Sequence, residues 1–160
     1  MRQDRFLQGI LFFILVLVIA ALVSFFGFRS GQSYLPETTP ENISRNYVLA
    51  LQRKDYQKAY GYLHQTEETP AFSAFQESLI RLRPSLADTG VQIVDVSRQE
   101  DRAVLEIVLI HGGNGPFGRT WREEASGLLV REGQDWKISS FPLPYWGWGW
   151  KTPPRPAPAD

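Results

Sequence analysis

Ala103-Val104-Leu105-Glu106-Ile107-Val108-Leu109-Ile110 is the stretch whose period sets the fold class. Ala103, Leu105, Ile107 and Leu109 alternate with Val104, Glu106, Val108 and Ile110, the two-residue period of a strand with one wholly apolar face. Upstream, Val91, Ile93, Val94 and Val96 are rich in β-branched residues, and the slip in their alternation predicts a bulge. Asp101 marks the turn between the two runs. Downstream, Trp136-Lys137-Ile138 reads as a strand entered from a turn at Gly133. Thr120 to Val130 has no clean period, and Trp121, Ala125, Leu128 and Leu129 could also be read as a helix. Strands linked by short turns predict an antiparallel sheet.

The chain before Val91 has the other period. Thr39-Pro40-Glu41 is a helix start: Thr39 caps, Pro40 suits the first helical position, and Glu41 meets the positive end of the dipole. Ile43, Tyr47, Ala50 and Leu51 follow at helical spacing, as do Tyr56, Ala59, Tyr60 and Leu63. They form one long helix, or two divided by a turn near Arg53 to Asp55. After Thr69-Pro70, the residues Phe72, Phe75, Leu79, Leu82 and Leu86 draw another apolar stripe, which Pro84 is expected to end or kink. Helices first and strands second give an α+β domain, with helices packed on one face of a curved antiparallel sheet.

Ahead of the domain stands Phe6 to Phe28, FLQGILFFILVLVIAALVSFFGF, with no charge in it. As a helix it is about 34 Å long, enough to cross a hydrocarbon core of about 30 Å. A cleaved signal peptide would be shorter and carry small residues at a cleavage site, whereas Val23-Ser24-Phe25-Phe26 offers none. A buried soluble helix would show a polar stripe. The run is therefore read as a single-pass anchor. Arg2 and Arg5 flank its start and Arg29 alone its end, which places the N-terminus in the cytoplasm and the domain outside. The division expected is a cytoplasmic tip (1–5), a transmembrane anchor (6–28), a linker (29–39), an α+β cone-like domain (40–144) and a Trp/Gly then Pro-rich tail (145–160).

Composition narrows the function. The 160 residues carry 17 basic and 17 acidic side chains, and no basic field exists to hold nucleic acid. No cysteine is present, which excludes disulfides, thiol catalysis and thiolate metal sites.

The stretch Leu51 to Leu63, LQRKDYQKAYGYL, followed by a further helix, several strands and the closing hairpin REGQDWKIS (Arg131 to Ser139), resembles the nuclear-transport-factor-2-like superfamily. Asp55, Ala59, Tyr60 and Leu63 carry the likeness in the helix, and Gly133, Trp136, Lys137 and Ile138 in the hairpin. The resemblance covers residues 40–141 and implies a cone-shaped α+β domain whose helices close over a strongly curved sheet. It also implies that dimerisation through the sheet is available. The superfamily includes isomerases, dehydratases and protein-binding dimers, so the fold does not fix the function.

Enzymes of that superfamily place a carboxylate or histidine inside the cone beside tyrosine hydroxyls. Asp95, Glu106, Tyr47 and Tyr60 are the residues here that such a site could use. Glu106 lies opposite the apolar face of its strand and is expected to be solvated; the two tyrosines read as core aromatics. A ligand pocket, if open, would be lined by Phe72, Phe75, Leu105, Ile107, Trp121 and Trp136, and would suit a hydrophobic ligand or a partner's side chains. His64 and His111 have no pattern of metal-ligating neighbours, and no metal or cofactor is expected. Gly113-Asn114-Gly115-Pro116-Phe117-Gly118 satisfies G-x-G-x-x-G after a strand. Pro116 and the lack of a second βαβ unit oppose a dinucleotide site, leaving a hairpin loop. In Tyr145-Trp146-Gly147-Trp148-Gly149-Trp150, an extended chain turns Trp146, Trp148 and Trp150 to one side. This aromatic strip would pack on the domain, insert among lipid headgroups or stack on a glycan or partner. The expected partners are thus the bilayer through residues 6–28, a second copy, and a hydrophobic ligand or envelope protein, with no nucleic acid. The best-supported function is a binding or assembly module outside the cytoplasm; the alternative is an isomerase- or dehydratase-like enzyme acting on a small hydrophobic substrate.

Overall fold

The computed structural model describes residues 13–21, 33–112 and 118–147. The chain divides into two compact units between Tyr34 and Leu35. In the first, residues 13–21 form helix α1, the middle of the predicted anchor. Residues 6–12 and 22–28 lie outside the described residues. Among the described residues no helix is long and apolar enough to cross a membrane.

The second unit opens with α2 (Pro40–Gln52), started as the sequence predicts. Thr39 is extended at φ −127°, ψ 151°, and its Oγ1 accepts from Asn42 N–H at 3.3 Å, with Pro40 in the first turn. Lys54 takes φ 64°, which a continuing helix forbids, so the chain breaks here. Asp55 then caps α3 (Tyr56–Gly61), accepting from Lys58 N–H at 3.2 Å. The third helix of this unit, α4 (Phe72–Ala87), buries Phe75, Leu79 and Leu86 along the predicted stripe. It does not end at Pro84 but continues to Ala87. Ile80, whose carbonyl loses its helical partner to Pro84, lies on the solvent side, while burial of Leu86 holds the final turn.

Four antiparallel strands follow in sheet order β1 (Thr89–Gln99), β2 (Arg102–His111), β3 (Trp121–Glu132), β4 (Asp135–Ser140). The predicted slip is a bulge: Ile93 pairs with Ile107 and Asp95 with Glu106, leaving Val94 as the extra residue, 57% exposed. A second register shift separates Leu128 from Leu129. Bulges bend strands, and these two curve the sheet toward the helices. The ambiguous stretch from Trp121 is strand, not helix, because it pairs along its length with β2. This removes the helix that a dinucleotide fingerprint requires after its loop; residues 113–117 of that loop lie outside the described residues. Gly133, at φ 64°, makes the last hairpin turn. The free edge of β4 is covered by the chain after α3: His64 N–H donates to Ile138 O and Ile138 N–H to Tyr62 O, both at 2.8 Å.

The core lies between the helices and one sheet face. Leu105, Ile107 and Leu109 of β2 meet Leu129 and Ile138 across the sheet, under Tyr47, Phe75 and Leu79. Gly127 leaves the room this needs: a Cβ there would come within 3.2 Å of Ile107 Cδ1 and 3.3 Å of Phe141 Cδ2.

Both expected boundaries move. Asn46 is buried and clasps Leu35, accepting from its N–H at 2.8 Å and donating to its carbonyl at 2.9 Å, while Asn42 donates to Pro36 O at 2.9 Å. The latter part of the expected linker is thus a strap on the domain. At the other end Tyr145 is wholly buried and Trp146 is 7% exposed. Of the readings given for the strip, Trp146 takes packing on the domain and is not exposed as a surface residue; Trp148 and Trp150 lie outside the described residues.

An ion pair fastens β1 to α2. Arg98 Nη2 donates to both oxygens of Glu41, at 2.6 and 2.8 Å. Burial raises the Glu41 carboxyl, but its backbone hydrogen bond and the Arg98 guanidinium outweigh this, and the net shift is below the ordinary carboxylate value. A carboxyl whose pKa is lowered by folding adds stability above its unfolded pKa and loses it as the pH falls through the folded one. Glu41→Gln should therefore cost up to about 1 kcal/mol at neutral pH, the ceiling for a partly exposed pair. The difference should vanish in acid, read as unfolding midpoints at pH 7 and pH 3.

Candidate functional site

Three strands place one row of side chains across the helix-facing side of the sheet, at its end beside the glycine loop. Thr89 of β1 pairs with His111 of β2, which pairs with Trp121 of β3. Glu123, two residues on in β3, points to the same side. Thr89 Oγ1 and His111 Nδ1 are 3.1 Å apart, and His111 Nε2 is 3.1 Å from Glu123 Oε2. A carboxylate only accepts, so Nε2 carries a hydrogen; in the neutral ring Nδ1 then accepts from the Thr89 hydroxyl. The imidazole is thereby fixed at both nitrogens. Its flat face lies under Trp121, with ring centroids 3.8 Å apart and planes 15° from parallel.

The two ends of this row differ. Thr89 is 5% exposed, whereas Trp121 is 55% exposed and the Glu123 side chain 50%. The row is a clasp, buried at Thr89 and open at Glu123, that holds an indole outward. It is itself held from below: Tyr47 OH donates to Tyr145 O at 2.7 Å, and Tyr145 OH donates to Thr89 O at 2.5 Å. Burial raises the pKa of both hydroxyls, so they remain neutral donors.

The carboxylates named from sequence lie elsewhere. Asp95 and Glu106 are register partners on the other face of the sheet, both exposed. Tyr47 is a core aromatic and Tyr60 is half-buried, and both hydroxyls are already engaged. Tyr47 meets Phe141 edge-on at 5.4 Å; Tyr60 meets Phe75 at 5.2 Å and donates to Pro70 O at 2.9 Å. Among the described residues, the six expected lining residues are spread over sealed core, half-buried and exposed positions. Phe75, Leu105 and Ile107 are sealed in the core, and Phe72 packs half-buried on Tyr60 at 5.4 Å. Trp121 is too exposed to line an interior. Trp136 is buried under Arg131, whose Cζ is 5.7 Å from its ring, and borders a surface cleft of about 290 Å³ with Lys58, Tyr62 and Lys137. A second cleft, of about 620 Å³, lies between α2 and α4 and is lined by Leu51, Ile80, Arg83 and Leu86. His64 makes an ion pair with Glu132 at the far hairpin. Among the described residues no group of three metal-ligating side chains occurs.

The fold is nuclear-transport-factor-2-like: helices lie over the inner face of a bent, four-stranded antiparallel sheet. No family model and no curated protein matches this sequence. Among solved structures, the chain is similar to a SEC-C motif containing protein from Rhodopseudomonas palustris (12% identity, 66% of this chain and 79% of that one, TM-score 0.49). It is also similar to a protein of Thiobacillus denitrificans assigned as a calcium/calmodulin-dependent protein kinase type II association domain (15% identity, 67% and 93%, TM-score 0.47). A third is a protein of Campylobacter jejuni assigned as an NTF2-like transpeptidase (12% identity, 62% and 96%, TM-score 0.45).

Proposed function

We propose that this chain is a membrane-tethered binding or assembly module whose domain lies outside the cytoplasm and engages a partner at the Trp121 shelf. The observation that carries the reading is the contrast between interior and rim. Tyr47, Phe75, Leu105 and Ile107 between helices and sheet are buried, while Trp121 stands out on a clasp of Thr89, His111 and Glu123. A rigid indole with an open face gives contact area at little cost in ordering, which is the usual character of an interface anchor. The tether rests on the uncharged run 6–28. With Leu35 already strapped to α2, six residues (29–34) separate that run from the domain.

A second reading, an isomerase- or dehydratase-like enzyme acting on a small hydrophobic substrate, draws on the oriented imidazole of His111. It is the weaker one, because Nδ1 is occupied by the hydroxyl of a buried threonine and Nε2 by Glu123.

Membranes from cells expressing the full chain should retain it through alkaline carbonate extraction. After mild detergent, the protein should migrate on native gels as an assembly larger than one chain, and Trp121→Ala should shift it to the single-chain size without changing its unfolding midpoint. Release by carbonate would remove the tether, and unchanged migration of Trp121→Ala would remove the shelf as the interface. Protease added to spheroplasts should digest the domain; protection would reverse the orientation.

A further inference from the structure

The Trp121 shelf has a charge character that selects among partners, and this inference rests on the shelf being the binding surface. The indole face is the negative part of its quadrupole. Beside it, Glu123 Oε2 is 3.1 Å from His111 Nε2, and Oε1 makes no hydrogen bond or ion pair among the described residues. Asp88, whose backbone carbonyl accepts from Gly112 N–H at 2.6 Å, brings another carboxylate-bearing residue to this end of the sheet. Arg122 does not neutralise the site: it pairs with Ile110 on the opposite face. Arg119 is the nearby cation in sequence, and among the described residues it makes no contact with Trp121 or Glu123.

An electron-rich ring with a carboxylate on the residue that backs it suits a cation that lies flat. A guanidinium does so, being planar and weakly hydrated; an ammonium is a hydrated point charge that stacks poorly. We propose that the shelf receives an arginine side chain of a protein partner, stacked on the exposed face of Trp121 within the field of the Glu123 carboxylate. His111 then acts as a positioning residue: it supports the indole from behind and fixes the rotamer of Glu123.

The test compares two peptides that differ only in charge. The full chain, isotope-labelled at its tryptophans and held in lipid nanodiscs, is titrated with a short neutral peptide containing one arginine, and with its twin containing citrulline. Citrulline keeps the planar shape and removes the charge. The Trp121 indole N–H resonance is identified by its loss in Trp121→Leu. The expected result is saturation by the arginine peptide at a concentration about tenfold lower than for its twin, as a cation–π contact with a partly desolvated ion pair provides. Glu123→Gln should abolish that advantage, and 0.5 M salt should reduce it. Equal titration by both peptides, no shift with either, or an advantage that survives Glu123→Gln would each overturn the proposal. If the two peptides behave alike while Trp121→Ala still disassembles the native complex, the shelf stands and its preference for arginine does not.

Discussion

Phe75→Ala should destabilise the domain by about 3–5 kcal/mol, the usual cost of emptying an aromatic site in a packed core. Phe75 is wholly buried on α4, edge-on to Tyr60 at 5.2 Å, and sits over the strand residues that define the interior. Removing its ring deletes that contact and leaves a void that fixed neighbours on the sheet cannot close. A small domain has about 5–15 kcal/mol in total, so this one change should consume a large share of it. In urea the midpoint should fall steeply while the slope with denaturant stays constant. The same experiment decides whether the interior is filled or open: Phe75 lining an empty cavity would have little to lose, and a cost below about 1 kcal/mol would favour a ligand chamber.

Tyr145→Ala should cost a comparable amount, about 3–5 kcal/mol, although the residue falls in what reads from sequence as a tail. Its ring is wholly buried and meets Phe141 edge-on at 6.4 Å. Its carbonyl receives Tyr47 OH and its hydroxyl reaches Thr89 O, so it joins α2 to the start of β1. Tyr145→Phe separates the two roles. It keeps the ring and leaves the Thr89 carbonyl without that donor, for about 1–3 kcal/mol. Because Thr89 holds His111, the conservative change should also broaden the His111 ring resonances, which a purely packing role would not do. If Tyr145→Ala unfolds at the wild-type midpoint, the C-terminal boundary belongs before residue 145.

Much of the fold could be read locally. The bulge at Val94 appeared as a slip in alternation, and the cap at Thr39 as a three-residue pattern. The break before Asp55 was one of two readings the sequence left open, and each of these features depends on neighbours in the chain. Of the two effects expected of Pro84, ending the helix does not occur, because that penalty depends on whether the orphaned carbonyl is wet, which is a tertiary fact. The stretch from Trp121 had no clean period because its inward positions include Ala125 and Gly127, the latter making room for Phe141, as well as Glu123 at the rim. The site was illegible for the same reason. Thr89, His111, Trp121 and Glu123 come together only through a register that spans three strands, and one of those strands could not be recognised. His111 was visible at the end of β2, but its partners lie 22 residues before it and 12 after it. For the Trp-Gly repeat the local pattern left three readings open, and only the burial of Trp146 selects among them, for that residue, packing on the domain.

The central claim is that the domain works through the shelf at Trp121 and not through an enclosed cavity or the convex face. Photocrosslinking in intact membranes tests it most directly, with Trp121 kept and p-benzoylphenylalanine replacing either exposed Arg119 beside the shelf or Val94 at the exposed bulge. The account predicts a discrete adduct from position 119, reduced by Glu123→Gln, and little from position 94. A strong adduct from position 94 with none from position 119 would contradict it.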